Sequence, residues 1–241
     1  MQFYFIRHAQ SFNNALWIET GSSDGRSADP ELSENGQVQA KLLAKYLSTA
    51  LPTIPQEKNG DQDHTGFGIT HIYSSLMVRA LQTGSMLAKA LNLPLVGWKD
   101  AHECGGIYQK NPETEERIGL PGFGRNDLLR RFPDLVLPDS IDDSGWWNRP
   151  FEEREERLPR AQRFLQTLFA RHGGTQDRVA VVSHFGFYNY FMSALLKIPE
   201  TSEILFVINN TGITRIDFDE EFSRLIYANR TDFLPLDYFS R

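Results

Sequence analysis

Phe3-Tyr4-Phe5-Ile6-Arg7-His8 and Val179-Ala180-Val181-Val182-Ser183-His184 are two short apolar runs, one near each end of the chain, and each stops on a histidine. Runs of this length, apolar without alternation, read as strands buried on both faces, as in a parallel sheet. Ligands of an open parallel sheet bind in the crevice outside the C-terminal strand ends, so both imidazoles are expected at one site.

The pattern between these runs alternates strand and helix. Leu32-Ser33-Glu34-Asn35-Gly36-Gln37 opens a helix with Ser33 as N-cap, and Val38, Leu42, Leu43, Tyr46 and Leu47 carry its apolar spacing toward an end near Ala50. Residues 52–68 read as a surface loop. Ile69 to Tyr73 reads as a short strand, Ser74-Ser75 leads into a helix from about Met77 to Leu91, and Leu95-Val96 makes a further strand. From about residue 100 to 150 glycine and proline break the periodicity, and this segment reads as an insertion over the sheet edge. A helix pattern resumes from Phe151 through Arg171, where Pro159 is expected to start a new helix or kink the old one. After the second histidine run come a helix from about Tyr188 to Leu196 and strands at Ile204–Ile208, Ile213–Phe218 and Leu225–Ala228. The alternation implies a layered α/β fold.

Composition narrows the function classes. A chain of 241 residues with 40% hydrophobic content supports a full core, and its longest apolar stretches fall short of the ~18 residues of a membrane span. The N-terminus lacks a leader pattern and Cys104 is the single cysteine, which together predict a cytoplasmic location without an intrachain disulfide. Twenty-five Lys and Arg against 31 Asp and Glu give a formal charge of −6, which argues against a nucleic-acid surface. Any anionic ligand must be held by local cations. The basic run around Arg130-Arg131 reads as a solvated helix face in ion pairs. Oligomeric state is not legible.

Arg7-His8-Ala9-Gln10-Ser11-Phe12-Asn13-Asn14 places a guanidinium, an imidazole, a hydroxyl and amides in the turn after a strand. Arginine offers a planar fork of donors to phosphate oxygens, and backbone N–H groups of a following helix add more. Neighbouring guanidinium groups disfavour protonation of His8, leaving it neutral and nucleophilic. Alone, an arginine and a histidine at a strand end are more often a surface ion-pair group. His102-Glu103-Cys104 is rejected as a metal site, because adjacent residues rarely converge on one ion; no metal or cofactor is assigned. His64, His71 and His172 read as structural.

These residues resemble the histidine phosphatase superfamily, the phosphoglycerate mutase-like family, whose opening pattern is Arg-His-Gly-x-Thr-x-x-Asn. The chain matches at Arg7, His8 and Asn14, keeps a hydroxyl at Ser11 and carries Ala9 where glycine is usual. Four further segments follow in order: Leu32-Ser33-x-x-Gly36-x-x-Gln39-Ala40, Ser74-Ser75-x-x-x-Arg79-Ala80-x-Gln82-Thr83, then Glu103, then Val182-Ser183-His184-Phe185-Gly186. The resemblance covers nearly the whole chain. It implies a three-layer α/β/α sandwich with a mostly parallel central sheet, a single domain over 1–241, and residues 100–150 as a cap over the active site.

By the same resemblance His8 takes the phosphoryl group, and Arg7, Arg79, His184, Phe185 and Asn14 bind the phosphate. Glu103 would protonate the leaving alcohol and later deprotonate the attacking water. Ser11, Arg125, Trp146, Trp147 and Arg149 are candidates for substrate contacts, set against ordinary packing for the tryptophans and solvation for the arginines. Glycolytic mutases usually carry an arginine after the acid glutamate, where this chain has Cys104. The expectation is therefore metal-independent hydrolysis of a small phosphorylated metabolite. The alternatives are a mutase-type phosphotransferase, a catalytically weak phospho-ligand binder, or a metal-dependent hydrolase built on His8 and His184.

Overall fold

The computed structural model describes residues 1–49, 63, 66–199 and 203–240. The strands are β1 (Gln2–Arg7), β2 (His71–Ser74), β3 (Leu95–Gly97), β4 (Tyr108–Lys110), β5 (Arg117–Gly119), β6 (Leu135–Val136), β7 (Arg178–Ser183), β8 (Ile213–Phe218) and β9 (Ser223–Arg230). The helices are α1 (Phe12–Thr20), α2 (Glu34–Ser48), α3 (Val78–Leu91), α4 (Arg125–Arg131), α5 (Arg154–His172) and α6 (Phe185–Leu196). Seven strands form one sheet in the order β6-β3-β2-β7-β1-β8-β9, with β4 and β5 a separate ribbon. Neighbours from β6 through β1 run parallel, and β8 and β9 run antiparallel.

The period-two alternation of the central strands divides the interior into two layers. Tyr4, Ile6, Ala180 and Val182 pack with Leu43, Leu47, Leu81 and Leu87 of α2 and α3. Phe3, Phe5, Val179 and Val181 pack with Phe164, Leu168, Phe187 and Phe191 of α5 and α6 on the opposite face. Strands buried on both faces explain the absence of polar alternation in the two histidine runs. The result is the expected α/β/α sandwich. Among the described residues, no helix is long and apolar enough to cross a membrane.

Three expectations need correction. The segment Ile204–Ile208 forms no strand, because the Asn189 side chain takes both backbone groups of Phe206, accepting at 2.7 Å and donating at 3.2 Å. No new helix starts at Pro159, because α5 runs through it as one element; Pro159 and Glu155 are both exposed, so the carbonyl that loses its amide partner faces water. Helix α6 begins at Phe185, directly after the second histidine. The 100–150 segment also does more than cover an edge: it supplies β6, which pairs with β3. Most of the expected 52–68 loop, with His64 and Ala50, lies outside the described residues. Asp63 is buried there among Tyr4, Tyr227 and Arg215.

Candidate active site

The register Arg7↔Ser183 between β1 and β7 sets His8 and His184, each one residue past its strand, side by side at the C-terminal sheet edge. Their ring centroids are 5.0 Å apart. The His8 backbone N–H donates to the Ser183 carbonyl at 2.9 Å, which fixes the first histidine to the second strand. The shared location follows from parallel pairing, as the sequence pattern required.

His8 is buried, with Nδ1 2.7 Å from the Ala9 carbonyl oxygen. A carbonyl only accepts, so Nδ1 carries the proton and the lone pair sits on Nε2. Arg79 Nε donates to that nitrogen at 3.1 Å. Burial, then the charges of Arg79 and Arg7, hold the His8 imidazole well below its ordinary protonation range. Ala9 does not have positive φ, so the position where the family usually has glycine asks nothing of alanine that its backbone resists. Its N–H donates to Thr83 Oγ1 at 3.1 Å.

His184 Nε2 lies 2.8 Å from Ser75 Oγ, and the register Ser74↔Val182 between β2 and β7 brings that serine into place. Its Nδ1 is buried without a partner, as is Nε of Arg7. Buried donors are almost always bonded, so these two nitrogens near His8 are left with hydrogen-bonding capacity that no protein group uses. Arg7 is otherwise anchored by its Nη1 to the Ile208 carbonyl at 2.8 Å, with its guanidinium 5.6 Å from the centre of the Phe185 ring. Burial lowers its pKa to about 10. Phe185 thus supports Arg7 through its ring.

Ser11 caps α1, and its backbone N–H and hydroxyl both donate to Asn14 Oδ1 while its Oγ accepts from the Asn14 N–H. That box occupies the Asn14 oxygen. A cleft of about 220 Å³ is walled by Arg7, His8, Ser11, Asn14, Arg79 and Glu103, together with Trp17 and Arg26. Glu103 is the one carboxylate among its described walls. Glu103 Oε1 accepts from the N–H groups of Cys104 at 2.8 Å and Phe187 at 3.0 Å, and Oε2 accepts from Gly186 at 3.1 Å. The first turn of α6 therefore holds this carboxylate, and an added Cβ at Gly186 would lie 2.4 Å from Oε1.

The remaining substrate candidates sit elsewhere. Trp146 and Trp147 are 1% and 2% exposed, packed against His102 with ring centroids 6.0 and 4.6 Å away, and serve the core of the cap segment. Arg125 donates to the Pro138 and Ile141 carbonyls, which makes it a loop brace. Arg149 pairs with Glu156 and stacks over Trp147. None of the four lines the cleft. Arg130 pairs with Asp127 and Arg131 with Glu31, the ion pairs expected of them.

Two cleft-side residues escaped the sequence reading. Arg26 lies in the polar connection after α1 and bonds to the Tyr108 hydroxyl, with its guanidinium 4.5 Å from that ring's centre. Asp29 Oδ1 accepts from the Val78 N–H at 3.0 Å and lies 3.7 Å from Arg79 Nη1. Burial pushes its carboxyl up to about 6 against the opposing pull of Arg79. Neither has a local pattern to announce it; both act through contacts distant in sequence.

The sequence profile described as histidine phosphatase superfamily (branch 1) matches residues 60–231, a span that holds Arg79, Glu103 and His184 and begins after His8. The chain is 26% identical over 240 residues to a Hydrogenobacter thermophilus protein named "Putative phosphoserine phosphatase 2", covering 94% of each. It is 25% identical over 224 residues to "Probable phosphoglycerate mutase GpmB" of Enterobacter sp. (strain 638), covering 91% of this chain and 86% of the other. A phosphoserine phosphatase from Entamoeba histolytica, crystallised with 3-phosphoglyceric acid, shares the fold with a TM-score of 0.60 at 20% identity, covering 97% and 99% of the two chains.

Proposed function

The chain belongs to the histidine phosphatase superfamily, and on that footing we propose that it is a metal-independent hydrolase of small phosphomonoesters that works through a phosphohistidine at His8. The observation that carries the reading is the orientation of His8: Nδ1 is tied to the Ala9 carbonyl, and Nε2 is left with a lone pair among Arg7, Arg79 and His184.

Arrival of a phosphate draws Arg79 from Nε2 to the non-bridging oxygens, where Arg7 Nε and His184 Nδ1 add their unused N–H groups. Nε2 then bonds to phosphorus as the bond to the alcohol oxygen breaks, and Glu103, which enters the step as the carboxylic acid, passes its proton to that oxygen and is left as the carboxylate. In the second half a water attacks phosphorus, Glu103 takes its proton, and His8 leaves as a neutral imidazole with inorganic phosphate. Phosphoryl transfer needs mainly positioning and neutralisation of spread negative charge, which two arginines and an imidazole supply.

Hydrolysis is favoured over transfer to a second substrate because Cys104 follows Glu103 and the Arg130-Arg131 pair points to ion pairs outside the cleft. Phosphate release from a panel of phosphorylated metabolites, beginning with phosphoserine and 3-phosphoglycerate, tests the proposal. Release by the wild type and loss in His8→Ala supports it; undiminished release by the variant defeats it. Efficient transfer of label from the enzyme to phosphoglycerate in place of water would favour the mutase.

A further inference from the structure

Parallel strands put their C-terminal ends at the cleft and their N-terminal ends on the opposite side of the molecule. On that opposite side His71 opens β2, His172 closes α5, and Asp177 immediately precedes β7. The three come together: one ring nitrogen from each histidine and a carboxylate oxygen lie within 4.8 Å of one another. His172 Nδ1 is 2.8 Å from Asp177 Oδ2, His71 Nδ1 is 3.9 Å from Asp177 Oδ1, and the two imidazoles meet edge to face at 4.7 Å. In sequence both histidines read only as structural; the fold makes them neighbours.

We infer that His71, His172 and Asp177 form a binding site for a divalent transition-metal cation of the zinc class, separate from the catalytic cleft. Two imidazoles and a carboxylate are the donor set such ions prefer, with a fourth position open to water. Ligand bonds of ~2.0–2.2 Å in a tetrahedron put donors about 3.4 Å apart. The observed separations bracket that spacing, so closure needs movements of roughly 1 Å in side chains whose backbones are fixed by the β2–β7 register His71↔Val179.

The surroundings provide the outer contacts a metal-bound histidine uses. Tyr73 OH lies 3.0 Å from His172 Nε2, so in the tautomer with its proton on Nε2 the ring donates to the phenol oxygen and Nδ1 is left with a lone pair for the ion. Thr70 Oγ1 bonds to His71 Nδ1 at 2.8 Å, a contact that an ion bound at that nitrogen replaces. The guanidinium of Arg171, next in sequence to His172, is engaged over the Trp98 and Tyr73 rings at 4.6 and 5.5 Å. The His71 side chain is 42% exposed, which gives an ion a path from solvent, and the Asp177 carboxylate is 29% exposed.

The test titrates Zn²⁺ alone into the metal-stripped full chain by calorimetry, with the melting temperature followed in parallel. The expected result is one strong site per chain and a melting temperature that rises with Zn²⁺. His71→Ala, at a partly exposed position, should weaken binding at least 100-fold and abolish the rise while circular dichroism stays that of the wild type. Tyr73→Phe keeps all three donors and should weaken binding about 10-fold. Absence of a saturable site, or equal binding by wild type and His71→Ala, overturns the inference and leaves the cluster as a hydrogen-bonded brace. Neither result bears on phosphate release at His8, so the two proposals fail independently.

Discussion

Gly186→Ala isolates the placement of Glu103. The new Cβ would sit 2.4 Å from Glu103 Oε1 and 3.1 Å from Cys104 Sγ, whereas unstrained contacts lie near 3.5 Å, so the carboxylate must retreat by about 1 Å. That retreat also breaks the bonds from the Gly186 and Phe187 N–H groups. A displacement of this size costs about 100-fold in rate, or about 2.7 kcal/mol in the barrier. Alanine is the better helix former by ~0.5–1 kcal/mol, so the substitution should not unfold α6. Steady-state phosphate release is the assay. We expect kcat to fall about 100-fold with KM within about threefold, because Arg7, Arg79 and His184 keep their positions. A variant with wild-type kcat would refute the role given to Glu103, and an equal loss carried by KM alone would assign it to ground-state binding.

Asp29→Asn removes a titrating group beside Arg79. Burial raises the Asp29 carboxyl from 3.8 to about 6, so its protonated form favours the fold below pH 4 and that contribution is lost as pH rises through 6. Urea denaturation should show wild type losing about 3 kcal/mol relative to the variant between pH 4 and pH 7; parallel pH profiles would contradict this. Ser75→Ala takes away the hydroxyl bonded to His184 Nε2 and should cost about 10-fold in kcat with the fold intact by circular dichroism. Arg160 meets Glu152 with two bonds, at 2.5 and 2.8 Å, and donates to the Asp100 and His102 carbonyls that flank the Glu103 turn. Lysine cannot reproduce that fork, so Arg160→Lys should lower stability by about 3 kcal/mol in the same denaturation assay, and a change under about 0.5 kcal/mol would contradict the buried clamp.

The layered fold and the convergence of His8 and His184 were legible because parallel strands buried on both faces write themselves as unbroken apolar runs. Arg79 was legible only through the resemblance of Ser74-Ser75-x-x-x-Arg79 to the family pattern; in the structure Ser75 of that segment bonds to β7 and to His184 and Arg79 reaches His8. Asp29 and Arg26 were not, since each draws its meaning from contacts with residues distant in sequence, Val78 and Arg79 for the first and Tyr108 for the second. Trp146 and Trp147 misled as cleft candidates because an aromatic pair has the same appearance in a core as in a pocket; what distinguishes them is Gly106, where a Cβ would lie 2.1 Å from the Trp147 ring. The segment Ile204–Ile208 was equally opaque, because its β-forming residues give no hint that Asn189 occupies the Phe206 backbone.

The central claim is that His8 Nε2 carries the phosphoryl group. Rapid quenching of the wild type during turnover, followed by peptide mass spectrometry at alkaline pH, tests it directly. The account predicts an acid-labile phosphoryl group on His8 that forms and decays at rates no slower than kcat and is absent from His8→Ala. Phosphate on another residue, or full turnover with His8 unmodified, would contradict it.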